Sequence, residues 1–290
     1  MSRLDGSRLY LSVAERASAV VIGRYSTSFG LASRLLGRTE RRHVANIYAL
    51  VRVADEVVDG VAAELGLGRD AVAERLDAYE AEVDRGLQTG YSTDLVVHAF
   101  VTTAREVGFG TELTAPFFRS MRTDLDAREY TPEQFDDYVY GSAEVVGLMC
   151  LAAFLAGRSV SPSRRAEFER GARALGAAFQ KVNFLRDLAT DFGSLGRSYF
   201  PGVSVDDFDE ATKNRLADDL DADLRVAAVT MRRLPRGSRR AVTAAHGLFA
   251  ELSSRIRRTP AAELARTRVS VPNTAKVRLL LGAALDRNVT

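Results

Sequence analysis

Apolar residues recur at helical spacing along nearly the whole chain, and alternation with a period of two is almost absent. Because this pattern gives a helix one apolar face but would divide the apolar side chains between both faces of a strand, it excludes a sheet-based fold. The pattern predicts helices at about 8–23, 40–59, 70–88, 93–107, 111–126, 132–157, 162–192, 209–233, 237–257 and 273–287. No low-complexity linker or repeat of fixed period divides them, so we predict a single all-α domain over residues 1–290.

Two of the predicted helices have recognisable start signals. Thr131 precedes Pro132, and Gln134 follows at the third helical position. This is the arrangement of a capping box with proline at the first helical position. Ser161 before Pro162 repeats this arrangement, with serine in place of threonine at the N-cap.

Two segments carry acidic residues at four-residue steps, namely 55–59 (DEVVD) and 183–191 (NFLRDLATD). On a helix this spacing stacks the carboxylates on one face, which costs about 0.2 to 0.5 kcal/mol per pair of like charges. A group of hard divalent cations would offset the repulsion. Oxygen-only ligation by a few carboxylates together with substrate phosphates suits Mg²⁺.

The first acidic segment extends a mixed helix face. Helical steps place Tyr48, Arg52, Asp55 and Asp59 on one side, so a cation and a phenol precede the carboxylates. A guanidinium at this position can grip a diphosphate through its bidentate fork. An ordinary solvated face with an Arg52 to Glu56 ion pair is an equal alternative for this segment alone, because a bare D-x-x-x-D is common.

The second acidic segment is more specific. Gln180, Asn183, Asp187 and Asp191 follow steps of three, four and four, so one stripe holds two amides and two carboxylates. The amide oxygen of Asn183 can bind a metal without adding negative charge. Arg186 and Lys181 flank the stripe and are candidates either for contacting phosphate or for balancing the carboxylates. A surface helix laced with charges would leave the uncharged amides on this stripe unexplained.

The segment that follows is a basic and aromatic loop. Residues 197–201 read RSYFP, which places Arg197 and Tyr199 where a lid over the site could close. The acidic stretch 218–223 lacks an amide partner, so we interpret it as a solvated helix face.

Composition restricts the compartment and the partners. With 40 basic and 38 acidic residues the formal charge is +2, so the net charge gives no argument for nucleic acid or an anionic membrane. Cys150 is the only cysteine, which excludes an internal disulfide and fits a reducing compartment. The longest weakly polar run, 142–157, carries Glu144 and is short for a bilayer crossing. We therefore expect a cytoplasmic protein of undefined oligomeric state, with peripheral membrane contact for collecting or releasing a lipid as an open option.

Four blocks of sequence are similar to those of the phytoene and squalene synthase family, namely 26–33, 48–59, 138–147 and 179–187. The resemblance extends from about Ser26 to Lys276. It implies an all-helical isoprenoid synthase bundle around a central apolar cavity, with two aspartate-rich helices facing each other across its mouth. Members of this family join two allylic prenyl diphosphates head to head.

The resemblance also implies residue roles. The expected ligands of Mg²⁺, for which Mn²⁺ is a substitute, are Asp55, Asp59, Asn183, Asp187 and Asp191. The expected contacts of the substrate diphosphates and the pocket entrance are Ser26, Ser28, Phe29, Arg52, Gln180 and Arg186. The polar aromatic residues expected close to the reacting carbons are Tyr48 and Tyr140. A late basic contact with diphosphate falls to either Arg268 or Lys276.

The amino-acid sequences of residues 140–148 and 178–201 are most similar to those of bacterial carotenoid-pathway enzymes. This favours phytoene made from two geranylgeranyl diphosphates through a cyclopropyl diphosphate, without NADPH. Squalene or dehydrosqualene made from farnesyl diphosphate, and a non-catalytic helical scaffold of the same fold, remain alternatives. One departure is Glu144, which stands where many members have glycine and is expected to need a partner or a position at the rim.

Overall fold

The computed structural model of the protein describes residues 3–26, 28–126, 129–190, 199–204 and 207–285. Within these ranges the regular secondary structure is entirely helical, which confirms the predicted all-α class. The helices are α1 (Arg3–Tyr25), α2 (Ser28–Ser33), α3 (Arg38–Val58), α4 (Val61–Glu64), α5 (Arg69–Thr89), α6 (Leu95–Val107), α7 (Thr111–Thr123), α8 (Pro132–Val139), α9 (Val145–Leu155), α10 (Pro162–Thr190), α11 (Glu210–Met231), α12 (Arg236–Arg258), α13 (Ala261–Leu264) and α14 (Asn273–Ala284).

All ten predicted helices are present, and the start signals act as predicted. Thr131 and Gln134 form a reciprocal capping box at the start of α8. The Ser161 hydroxyl accepts a hydrogen bond from the backbone N–H of Arg164 at 3.4 Å. The short helices α2, α4 and α13 were not predicted, because pieces of four to six residues are too short to show a helical period.

A π-helical turn, Tyr140–Glu144, joins α8 to α9. Single π turns inside helices frequently occur at functional sites. At Gly141 the backbone passes so close to α7 that an added Cβ would lie 2.3 Å from the carbonyl oxygen of Pro116. The turn is therefore held against α7 at a position that only glycine can occupy.

The buried side chains form two large clusters on either side of a central space. One cluster joins α3, α5, α6, α7 and α9 and contains the fully buried Phe100 and Phe117. The other joins α8, α10, α11, α12 and α13 and contains Phe184 and Ile256. Together they hold the cavity-lining helices in place.

Helices α9 and α10 cross through small residues. A Cβ added at Gly147 would lie 2.4 Å from the carbonyl oxygen of Ala172, and one added at Gly176 would lie 2.5 Å from that of Ala143. These distances are below any real Cβ contact, and the obstacle in each case is rigid backbone. The α9–α10 crossing therefore sets the position of α10, the helix that carries the second acidic stripe.

We expect Gly176→Ala to lower the free energy of unfolding by about 1 to 3 kcal/mol, because the added methyl group must push the two backbones apart. Urea unfolding measures the change. Gly23→Ala in α1 is the matched control, because nothing lies within 4 Å of the added Cβ, and it should be neutral or slightly stabilising. Equal stability of the two variants would contradict the close crossing.

Candidate active site

A central apolar cavity lies between the two core clusters. It is lined by residues of α2, α3, the π turn, α9, α10, α11 and α12, and its empty volume is about 1260 Å³ including the open mouth. No charged side chain contributes to this wall within the described part of the chain. The few polar contributors are Ser33, Tyr48, Ser142, Cys150 and Thr230. The wall therefore suits a long apolar ligand, and the cavity expected from the resemblance is present.

From their packing against α9 we infer that the two helices with the acidic stripes run along this cavity in the same direction. Val44, near the start of α3, belongs to a small cluster against which Cys150 of α9 packs. Phe168, near the start of α10, belongs to a cluster that contains the next residue of α9, Leu151. Further along, Val51 and Phe179 are the last lining residues of α3 and α10. The acidic stripes follow one to two turns later, so we infer that both leave the cavity at the same end.

The α3 stripe is built around an arginine. Arg52 Nη1 lies 2.5 Å from Asp55 Oδ2, and the same guanidinium forms an ion pair with Glu56. Asp59 lies just beyond the helix and donates its N–H to the carbonyl oxygen of Asp55 at 2.9 Å. The Arg52 guanidinium carbon lies 4.6 Å above the ring of Tyr25. Its Nε is buried and has no hydrogen-bond partner among the described residues.

Negative charge is concentrated at Asp55. Burial raises its pKa to about 6, Arg52 opposes this shift, and the charges of Asp59 and Glu56 add to it. The side chain still exposes 40% of its surface, so the neighbouring protein atoms displace its hydration without enclosing it. A divalent cation would relieve this repulsion, and carboxylate oxygens are the donors that Mg²⁺ prefers.

The α10 stripe is also paired with arginines. Asp187 Oδ1 lies 2.7 Å from Arg268 Nε and accepts a hydrogen bond from Arg186 Nε at 3.0 Å. Gln180 and Asn183 lie half-buried on the same helix, two turns and one turn before Asp187, respectively. Arg186, which was predicted on the flank of this stripe, therefore contacts its carboxylate. Arg268, one of the two candidates for the late basic contact with diphosphate, contacts the same carboxylate.

Several other predicted residues lie elsewhere. Lys276, the second candidate for the late basic contact, lines a separate basic pocket. Ser26 also lines that pocket, but its side chain forms a hydrogen bond with Tyr48 of the cavity wall. Asp191 and Arg197, and the side chains of Ser28 and Phe29, lie outside the described residues. Within the described ranges, no group of three or more His, Cys, Asp or Glu residues is arranged to hold a metal ion.

The predicted tyrosines occupy three different environments. Tyr48 lines the cavity, where burial raises the pKa of its phenol and a hydrogen bond with Ser26 opposes the shift. Tyr140 is not among the lining residues; its ring lies under the guanidinium of Arg173, with the guanidinium carbon 5.2 Å from the ring centroid. Tyr199 is only 7% exposed. Of these three tyrosines, Tyr48 is the one that lines the cavity.

The position of Tyr199 corrects the prediction of a lid. Its ring stacks on Phe184 with centroids 4.0 Å apart and packs against Tyr138 and Tyr130. The aromatic residues of 197–201 therefore pack in the core, and Tyr199 supports the last part of α10 through its contact with Phe184. A short sequence cannot distinguish a stacking residue in the core from one at a site entrance.

The glutamate that departs from the family pattern has a partner. Glu144 Oε2 accepts a hydrogen bond from Arg173 Nε at 2.6 Å, and its side chain is 16% exposed. The Arg173 guanidinium of this pair lies over the ring of Tyr140. Arg173 was not predicted, although the nearby small residues at i, i+4 (143 and 147; 172 and 176) are a visible signal of a close helix crossing.

The acidic stretch 218–223 on α11 is occupied by ion pairs. Lys181 Nζ lies 2.6 Å from Asp219 and 2.8 Å from Asp223, and Arg257 contacts Asp218 at 2.7 Å. The stretch is thus a charged face of α11 whose carboxylates are paired with basic side chains. The same contacts show that Lys181, on a flank of the second stripe, faces α11.

One helical stretch among the described residues, Pro132–Leu155, is long and apolar enough to cross a membrane. Its most apolar window is 56% buried inside the protein, and its second half lines the cavity. These are the properties of a core helix.

Cys150 lies on the cavity wall, and burial raises the pKa of its thiol to about 12. We expect this thiol to react with a disulfide reagent at pH 8 more than about 1,000-fold more slowly in the folded protein than in urea, because the thiolate fraction is suppressed. Spectrophotometric thiol titration measures both rates. Equal rates would show that the wall is open to water at this point.

Comparison with known proteins agrees with this geometry. Residues 22–275 match the squalene/phytoene synthase family. The chain is 29% identical to a 15-cis-phytoene synthase of Paracoccus sp. over 91% of this chain and 88% of that protein. It is 31% identical to phytoene synthase 3 of Zea mays over 68% of this chain and 44% of that protein.

Solved structures confirm the predicted isoprenoid synthase bundle. A dehydrosqualene synthase superimposes with a TM-score of 0.79, at 21% identity, over 97% of this chain and 98% of that chain. The squalene synthase HpnC of Alicyclobacillus acidocaldarius gives 0.71, at 24% identity, over 87% and 94%. By sequence match and by fold, this protein belongs to the squalene/phytoene synthase family of prenyl-transferring enzymes.

Proposed function

We propose that the protein joins two geranylgeranyl diphosphates head to head and makes phytoene through a cyclopropyl diphosphate, as a step of carotenoid biosynthesis. The observation that supports this most is the shared cavity: α3 and α10 both line it, and in each helix an acidic stripe follows the last lining residue by one to two turns. A diphosphate held at that end would leave its prenyl chain in the apolar space.

The leaving diphosphate needs positive charge. Arg52 lies beside Asp55 on the α3 stripe, and Arg186 and Arg268 lie beside Asp187 on the α10 stripe. The side chains that would hold Mg²⁺, or Mn²⁺ in its place, are Asp55, Asp59, Asn183, Asp187 and Asp191. When bound, the metal supplies Lewis-acid stabilisation of the charge that develops on the departing diphosphate.

The allylic cation that remains must be kept from water. The cavity wall does this, because its lining is almost entirely apolar. Tyr48 adds an aromatic ring on this wall, and a cation over such a ring gains about 0.5 to 2 kcal/mol. Attack by the double bond of the second substrate is then favoured over attack by water.

The choice of substrate rests on the relatives. The curated proteins matched here are named phytoene synthases, whereas the superimposed structures are of dehydrosqualene and squalene synthases. Sequence similarity therefore favours the longer substrate. Production of dehydrosqualene or squalene from farnesyl diphosphate is the second candidate, supported by the near-complete overlap with the dehydrosqualene synthase.

Product analysis decides between these candidates. The purified protein is supplied with geranylgeranyl or farnesyl diphosphate, each with and without NADPH, in the presence of Mg²⁺. We expect phytoene from geranylgeranyl diphosphate at equal yield with and without NADPH. Squalene formed only with NADPH, or dehydrosqualene from farnesyl diphosphate with no turnover of the longer substrate, would overturn the proposal.

A further inference from the structure

A second pocket, rich in basic residues, lies outside the apolar cavity. It is bounded by α1, α2, the start of α3 and the start of α14, and its empty volume is about 1590 Å³ including the opening. The cationic side chains that line it are Arg16, Arg34, Arg38, Arg41, Arg42 and Lys276. Among the described residues that line it, Glu15 is the only one with a carboxylate.

Most of this positive charge is not balanced by the protein. Glu15 lies 3.4 Å from Arg42, so the one acid is already paired. Within the described ranges, no carboxylate lies within 4.0 Å of Arg34, Arg38 or Arg41, and all three are exposed. Three arginines brought together without acidic partners repel one another, and an anion in the pocket would remove that cost.

Both helices at the edge of the pocket present apolar side chains to solvent. On α1, Val13 and Val20 lie within one turn of Arg16 and are 44% and 61% exposed. On α14, Val277 lines the pocket at 53% exposure, and Leu281 follows one turn later at 58%. We call these exposed side chains, Val13 and Val20 of α1 and Val277 and Leu281 of α14, the apolar lips of the pocket. Exposed apolar side chains beside a basic pocket are typical of a surface that rests in a lipid interface.

The pocket lies next to the apolar cavity. Ser33 lines both spaces, so the α2 segment is the partition between them. The packing behind this partition is made of small side chains, including Ala32 and Ala245 of the cavity wall and Ala283 of α14. A membrane bound at this face would therefore lie beside the space that holds apolar chains.

We propose that this face, the basic pocket with the lips of α1 and α14, docks on a bilayer that contains anionic lipid. A lipid phosphate occupies the pocket among Arg34, Arg38 and Arg41, and the lips enter the headgroup region. Charge complementarity selects this partner, because a neutral bilayer would leave the three arginines without counter-charge. The proposal concerns a surface outside the acidic site and is tested without substrate.

The test is co-sedimentation with vesicles of phosphatidylcholine alone and of phosphatidylcholine with about a quarter phosphatidylglycerol. We expect binding to the mixed vesicles only. The triple variant R34Q/R38Q/R41Q should lose about 100-fold in apparent affinity, because each arginine at an anionic surface is worth about fivefold. The matched control R75Q/R158Q/R165Q removes the same charge from exposed arginines elsewhere and should bind nearly as the wild type does.

Two further arms complete the test. V20S/L281S keeps every charge and should weaken binding to mixed vesicles by at least about tenfold, through loss of the buried apolar area. Equal losses in the two triple variants would overturn the proposal, because binding would then follow net charge alone. Binding of inorganic diphosphate that depends on the three arginines, without vesicle binding, would assign the pocket to a soluble anion and would also overturn it.

Discussion

Asp187→Asn is expected to lower kcat by more than about 100-fold at saturating substrate, with a melting temperature close to that of the wild type. The substitution keeps the size of the side chain and removes one charged oxygen from the α10 stripe. If the carboxylate helps to hold the metal on the departing diphosphate, the loss falls on the ionisation step. A higher concentration of Mg²⁺ should be needed for half-maximal rate.

The matched control is Asp218→Asn on α11. That carboxylate is 72% exposed and pairs with Arg257, away from the cavity lining. It should change turnover by less than about twofold, since an exposed ion pair is worth about 0 to 1 kcal/mol. Full turnover by Asp187→Asn would contradict the proposed mechanism and favour a non-catalytic scaffold of the same fold.

Phe184→Ala is expected to lower the free energy of unfolding by about 3 to 5 kcal/mol. The side chain is 6% exposed, stacks on Tyr199 and packs against Phe135, Tyr138 and Phe200. Its removal leaves a cavity behind the turn of α10 that holds Asn183. Activity should fall together with stability, because the acidic stripe loses its support.

Phe179→Ala, one turn earlier on the same helix, is the control for this prediction. Phe179 lines the cavity and is 36% exposed, so its removal should cost much less stability and should change KM or product length instead. Urea unfolding separates the two variants. A loss below about 1 kcal/mol for Phe184→Ala would show that the aromatic cluster does not support α10.

The helices and their starts could be predicted from sequence because they depend on local patterns. Apolar periodicity predicted the presence of α3 and α10. The capping box at Thr131 depends only on residues within one turn. The stripe of Asn183 and Asp187 could be recognised for the same reason, since helical spacing alone places them on one face.

Other features depend on contacts between distant segments. Arg268 reaches Asp187 across 81 positions of sequence, and no local pattern distinguishes it from Lys276 as the late basic residue. The aromatic run at 197–201 gave a prediction of a lid, whereas Tyr199 packs in the core. Its role depends on Phe184 and Tyr138, which the sequence does not place beside it.

The central claim is that the α3 and α10 stripes hold one shared metal cluster at the mouth of the apolar cavity. Anomalous diffraction from crystals soaked with Mn²⁺ and a non-ionisable prenyl diphosphate analogue tests it most directly. We expect Mn²⁺ peaks bound by Asp55 on one side and by Asn183 and Asp187 on the other, with the prenyl chain against Tyr48 and Gly176. Peaks on one helix only, or a prenyl chain outside the cavity, would contradict the account.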